Sequence, residues 1–98
     1  MKVKLQDAFL KKLNRQVLYI ATDKPTAARK FKNDILQKCR KLKDNPFKFG
    51  KSIYFDRDDI RDMTFKGYTI VYKVETEVIS VFALLKHGEG IKTNPNNG

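Results

Sequence analysis

Histidine and cysteine, the side chains that most readily bind zinc, attack a bond or move a proton near neutral pH, are few in this sequence. It has one histidine, His87, and one cysteine, Cys39, and neither has a second His or Cys at metal-ligand spacing. Zinc sites and disulfide scaffolds are thereby excluded, and no metal or other cofactor is implied. Cationic groups are abundant instead: 21 lysines and arginines stand against 11 acidic residues, a net charge of +10. Such an excess suits polyanionic partners, whether nucleic acid, a ribosome, an acidic protein or an anionic membrane surface. Its placement is uneven. Residues 11–51 hold 13 basic and 3 acidic residues, whereas residues 52–98 hold 6 and 7. Arg29, Lys30, Lys32, Lys38, Arg40 and Lys41 fall in one run, which makes them candidates for docking a partner.

The elements that position these groups are legible from periodicity. Leu10, Leu13, Val17 and Ile20 recur at spacings of three and four, which predicts an amphipathic helix over 7–21 with Asp7 as its N-cap. Thr22-Asp23-Lys24-Pro25 interrupts it. Pro25 suits the first turn of a second helix, with Asp23 or Thr22 as its cap. Ala28, Phe31, Ile35, Cys39 and Leu42 form the apolar stripe of that helix, and most of its lysines and arginines lie off the stripe. Asp44-Asn45-Pro46 ends it, because the residue before proline disfavours the helical region. The two helices should pack as an antiparallel hairpin.

From residue 52 the period changes to two. Strands are expected at 52–55, 60–66, 68–74 and 78–86, separated by turn-forming residues, and Lys2 to Leu5 supplies a short extra strand. The strands over 68–74 and 78–86 are apolar on both faces, which places them at the centre of the sheet. Alternation sets Ile70, Tyr72 and Val74 against Val71, and Phe82 and Leu84 against Ile79, Val81 and Leu85. The order β-α-α-β-β-β reads as an α+β domain, a helical hairpin packed on a small, mainly antiparallel sheet. Ninety-eight residues allow one domain, assigned to 1–90, with 91–98 as a flexible tail that is Asn-rich and contains Pro95. No apolar run approaches the roughly 20 residues of a membrane span, and the opening residues lack a signal-peptide core. A cytoplasmic protein without a membrane partner is expected.

With that topology in hand, particular residues show a likeness. Tyr19-Ile-Ala-Thr-Asp-Lys-Pro-Thr-Ala-Ala-Arg-Lys-Phe31 resembles the helix-turn-helix segment of ParE-type toxins, and Leu42-Lys-Asp-Asn-Pro46 resembles the L-x-x-x-P that ends the second helix across the RelE/ParE superfamily. Arg61, then Tyr68-Thr-Ile-Val-Tyr72, then Val78 to His87 are similar to that family's closing R…Y-R-I-x-Y…I-x-V…H run. The likeness covers residues 1 to about 88. It implies the toxin of a type II toxin–antitoxin pair, silenced by a cognate acidic antitoxin.

Two mechanisms divide the superfamily. ParE-type members trap DNA gyrase on cleaved DNA and have no active site of their own. RelE-type members cut mRNA in the ribosomal A site, which requires cations at the phosphate and groups that take up and donate protons. Resemblance to the RelE-type set points to Arg61, Lys86 and His87: a planar fork for phosphate, a second cation, and an acid or base. Departures count against the enzyme, since Thr69 stands where the pattern has arginine, and Gly88-Glu89-Gly90 follows His87 where an arginine or tyrosine often stands. The hairpin with its proline-centred turn and Ala-Ala-Arg-Lys-Phe continuation is the best-matched stretch, and the catalytic set is incomplete. The resemblance therefore implies a ParE-like, gyrase-directed toxin, with the ribosome and mRNA as alternative targets and a non-toxic binding protein as a further alternative.

Each of these residues also has a structural reading. His87 suits a strand end tied down by backbone hydrogen bonding, and Arg61 suits an ion pair with Asp58, Asp59 or Glu75. It also joins the partner-binding set. Tyr68 and Tyr72 share a face with Ile70 and Val74, which favours core packing over base stacking. Cys39 lies on the apolar stripe and reads as a small buried hydrophobe.

Overall fold

The computed structural model describes residues 1–91. The 92–98 part of the expected tail lies outside them. Strand β1 (Lys2–Leu5) leads directly into helix α1 (Asp7–Ala21), and helix α2 (Pro25–Lys41) follows after three residues. The N-cap of α1 is Gln6, without a side-chain bond. Asp7 sits one place later, in the first turn, where a carboxylate favours the positive end of the helix dipole. The Thr22 hydroxyl donates to the Tyr19 carbonyl at 2.7 Å, so it closes α1 instead of capping α2. Lys24 precedes α2, and Pro25 takes the first turn because its missing N–H would be unpaired there anyway. Beyond α2 a 3₁₀ turn, Leu42–Asp44, leads into a long exit loop.

Strands β2 (Ile60–Phe65), β3 (Tyr68–Val74) and β4 (Val78–Lys86) complete one four-stranded sheet in the order β1-β4-β3-β2. β1 runs parallel to β4 and the other neighbours are antiparallel, and the order places the two most apolar strands, β3 and β4, inside. Phe65 pairs with Tyr68 across a two-residue turn, Lys66-Gly67, with φ of 47° and 82°. Both residues need positive φ in such a hairpin loop, which Gly67 accepts freely and Lys66 does not.

The helices cover one face of the sheet. Phe9 and Leu13 from α1 and Phe31, Ile35 and Cys39 from α2 pack on Ile70, Tyr72, Ile79 and Val81, all of them buried. Each large apolar side chain so placed contributes roughly 1.5–3 kcal/mol. β4 corrects the face assignment. Its register shifts between Val71↔Ala83 and Tyr72↔Val81, leaving Phe82 as an extra residue. The bulge reverses the alternation, and Leu84 joins Ile79 and Val81 in the helix-side core.

Residues 52–55 do not form a strand. Lys51 makes one bridge to Arg61, after which the chain turns away from the sheet edge. Asp62 Oδ2 accepts the Ile53 N–H at 3.0 Å, the Ser52 hydroxyl accepts the Tyr54 N–H at 3.2 Å, and Phe55 meets Phe82 edge to face at 5.9 Å. Phe55 therefore helps to cover the second face of the sheet, whereas Ile53 is exposed.

Candidate partner-binding surface

The apolar stripe of α2 fixes which way its charges point. With Ala28, Phe31, Ile35 and Cys39 turned inward, Arg29, Lys30, Lys38, Arg40 and Lys41 are exposed and Lys32 is half-buried. Lys38, Arg40 and Lys41 stand in the last turn, where cations offset the negative end of the helix dipole by roughly 0.3–1 kcal/mol each. Burial pushes the Cys39 thiol up to about 12, opposed by the neighbouring Arg40 charge.

The exit loop is pinned from the sheet. Tyr72, fully buried, donates its hydroxyl to the Pro46 carbonyl at 2.6 Å, and burial raises that phenol to about 12. Arg61 Nη1 donates to the Phe49 carbonyl at 3.1 Å and Nε to the Asp58 carbonyl at 2.8 Å, while the guanidinium lies 4.9 Å from the Phe47 ring centre. The expected Arg61 ion pair is absent among the described residues. Asp59 is bound by Arg57 at 2.7 Å, which lowers its carboxyl, and Glu75 lies 3.8 Å from Lys73. Main-chain carbonyls occupy the Arg61 fork instead.

Between the end of α2 and strand β2 this arrangement leaves a cleft of about 230 Å³. Leu42, Phe49 and Met63 form its apolar floor, Lys38, Lys41 and Lys48 its rim, and Asp44 and Asn45 close it. Lys38 Nζ lies 5.0 Å from the Phe65 ring centre. A segment with acidic and apolar side chains in alternation would satisfy both surfaces. The charges of that run are divided between two grooves. Lys38 and Lys41 line this cleft, whereas Arg40 lines a separate groove on the β1 side with Lys2, Val3 and Lys43. Lys30 is paired with Asp34 at 3.2 Å, about 12 Å along the helix from Lys38. Lys48 belongs to the cleft but lies beyond the helix, so helical periodicity gave no reason to include it.

Arg61, Lys86 and His87 do not converge. Arg61 pairs with Tyr72 and Lys86 with Tyr68, so they are separated by four residues of β3 and two interstrand steps, about 16 Å between Cα atoms. Lys86 Nζ lies 5.5 Å from the Tyr19 ring centre, and His87 is exposed, with its backbone N–H donating to the Gly67 carbonyl at 2.7 Å. Glu89 belongs to no motif in the sequence. Its carboxylate accepts the Lys86 N–H at 2.7 Å and pairs with Lys12 at 2.8 Å, contacts that hold it below the usual glutamate range. It folds the segment after His87 back towards α1. Tyr68 packs against Phe31 with ring centres 4.9 Å apart and planes tilted by 49°, and donates to Gln16 at 3.1 Å, a packing role as expected. Among the described residues no cluster of three or more His, Cys, Asp or Glu side chains is placed to hold a metal ion, and no helix is long and apolar enough to cross a membrane.

A helical hairpin on this mixed sheet is the fold of a solved structure described as the chromosomal ParDE TA system from P. aeruginosa. The match has a TM-score of 0.74 at 16% identity and covers 89% of this chain and 96% of that one. No curated protein sequence matches. Residues 3–90 match the family described as the ParE toxin of type II toxin-antitoxin system, parDE. The chain belongs to that ParE toxin family.

Proposed function

We propose that this ParE-family chain acts in the cytoplasm as a toxin that arrests DNA gyrase and is silenced by an acidic cognate antitoxin. The observation that supports a target-binding toxin over a nuclease is the distance between Arg61 and Lys86. Phosphodiester cleavage needs its cations and its acid or base within hydrogen-bond reach of one phosphate, whereas here the two Cα atoms are about 16 Å apart and Lys86 Nζ is turned onto the Tyr19 ring at the far side. Two donors of Arg61 are, moreover, already bound by carbonyls.

The antitoxin's acidic segment docks in the cleft rimmed by Lys38, Lys41 and Lys48, with one apolar side chain on Leu42, Phe49 and Met63. Inducing the gene without its antitoxin tests the target. Double-strand DNA breaks with an SOS response are expected. Rapid loss of translation with mRNA cuts in the ribosomal A site would replace this reading with a RelE-like interferase, and unimpaired growth would leave a non-toxic binding protein. Lys38→Glu with Lys41→Glu should weaken antitoxin binding at least tenfold at low salt, an effect that shrinks as salt is added.

A further inference from the structure

The second basic groove is built differently from the first. It lies between the end of α2 and the free edge of β1, has a volume of about 370 Å³, and is lined by Met1, Lys2, Val3, Arg40 and Lys43. No acidic residue lines it. Among the described residues, none of Lys2, Arg40 and Lys43 is in an ion pair, and all three are exposed. Their three charges outweigh the roughly half-unit negative end of the α2 dipole beneath them. The backbone adds a donor. Lys2 and Gln6 give their N–H groups to Glu77 and Val81 of the β4 side, at 3.1 and 2.9 Å, so alternation along β1 turns the Val3 N–H, together with the Val3 carbonyl, away from the sheet at its free edge.

Arginine and lysine at the corners of an open groove and an outward amide on an edge strand, with only Met1 and Val3 as apolar lining, match the means by which proteins hold phosphates. A peptide would find few apolar anchors here, in contrast to the cleft with Phe49 and Met63. We propose that this groove binds the phosphate backbone of duplex nucleic acid, through Lys2, Arg40 and Lys43, separately from the antitoxin cleft. Naked DNA can test this, so the outcome does not depend on the gyrase reading.

The test is fluorescence anisotropy of a labelled 12-base-pair duplex titrated with the full chain between about 10 and 100 mM salt. Three phosphate contacts predict a slope of log K against log salt near −2.7. Arg40→Gln with Lys43→Gln should bring the slope to about −0.9. Lys38→Gln with Lys41→Gln removes the same net charge and should leave the slope within about 0.5 of the parent. Circular dichroism checks that both variants remain folded. Amide NMR shifts on adding the duplex should cluster at residues 2–4 and 40–43. Equal slope changes in the two variants would overturn the proposal, as would shifts centred on Phe49 and Met63. Equal affinity for a glutamate-rich peptide of matched charge would overturn it in favour of an acidic protein partner.

Discussion

Replacing Tyr72 by phenylalanine removes one oxygen and leaves the ring that packs the core. The lost contact is the 2.6 Å hydrogen bond to the Pro46 carbonyl. Pro46 is half-buried, so water replaces the hydroxyl only in part, and the cost is about 1–2 kcal/mol, below the full desolvation penalty of an orphaned acceptor. For a domain of this size that lowers Tm by roughly 4–15 °C. The same bond holds the loop on which Arg61 closes at Phe49, so Tyr72→Phe and Arg61→Gln should be non-additive in a double-mutant cycle.

The pH dependence supplies a second check on Tyr72. Its folded-state pKa is raised to about 12, so its contribution is fully present below the unfolded value near 10 and is lost as pH rises from there to about 12. The stability gap between parent and Tyr72→Phe should therefore narrow across that interval. Urea denaturation followed by circular dichroism at pH 7 and in steps above pH 10 measures both effects. A variant within about 0.3 kcal/mol of the parent at pH 7 would refute the reasoning, since a satisfied buried hydrogen bond is worth more than that. So would a gap that stays constant with pH.

Cys39 should react with a thiol reagent at pH 8 at least a thousandfold more slowly in the native than in the denatured chain, since exposing it requires opening a core worth about 5 kcal/mol or more. Its raised pKa makes its contribution to stability complete below about pH 9 and progressively lost from there to about 12, readable in the same alkaline denaturation series with Cys39→Ala as reference. Glu89 has the opposite sign: its lowered pKa makes the clasp on Lys12 and the Lys86 amide persist through the ordinary glutamate range and open as pH falls below it. The Lys86 amide resonance, followed from pH 6 to about 2.5, should report that opening, and Glu89→Gln should abolish it. Lys66→Asn places a residue tolerant of positive φ in the β2–β3 turn and should raise stability by about 0.5–1 kcal/mol, seen as a higher urea midpoint at unchanged m-value.

Elements governed by local periodicity were readable from the residues alone. The stripe from Ala28 to Leu42 faces the core as its spacing requires, and the two strands apolar on both faces are the inner ones. What failed depended on tertiary partners. Residues 52–55 have strand-like composition, yet Phe82 and Asp62 draw them off the sheet edge, and those partners lie more than six residues downstream. The β4 bulge, which moves Leu84 to the other face, leaves no trace in a period-two pattern. At the surface, Arg40 and Lys41 are adjacent in sequence but about 100° apart around the helix, and the end of α2 divides them between two grooves. Arg61 was read by its charge, whereas its position above the exit loop made main-chain oxygens its nearest acceptors.

The strand order has a consequence for how the protein comes into being. Among the described residues β4 is the last strand of the sheet along the chain and an inner one, with β1 on one side and β3 on the other. On a translating ribosome the helical hairpin and β2–β3 can form early, but β1 has no neighbour until residues 78–86 emerge. Closure therefore joins the start of the domain to its end in one late step of high sequence separation. Until that step the nascent chain lacks a finished β1 edge, and synthesis of the domain is nearly over before its surfaces are complete.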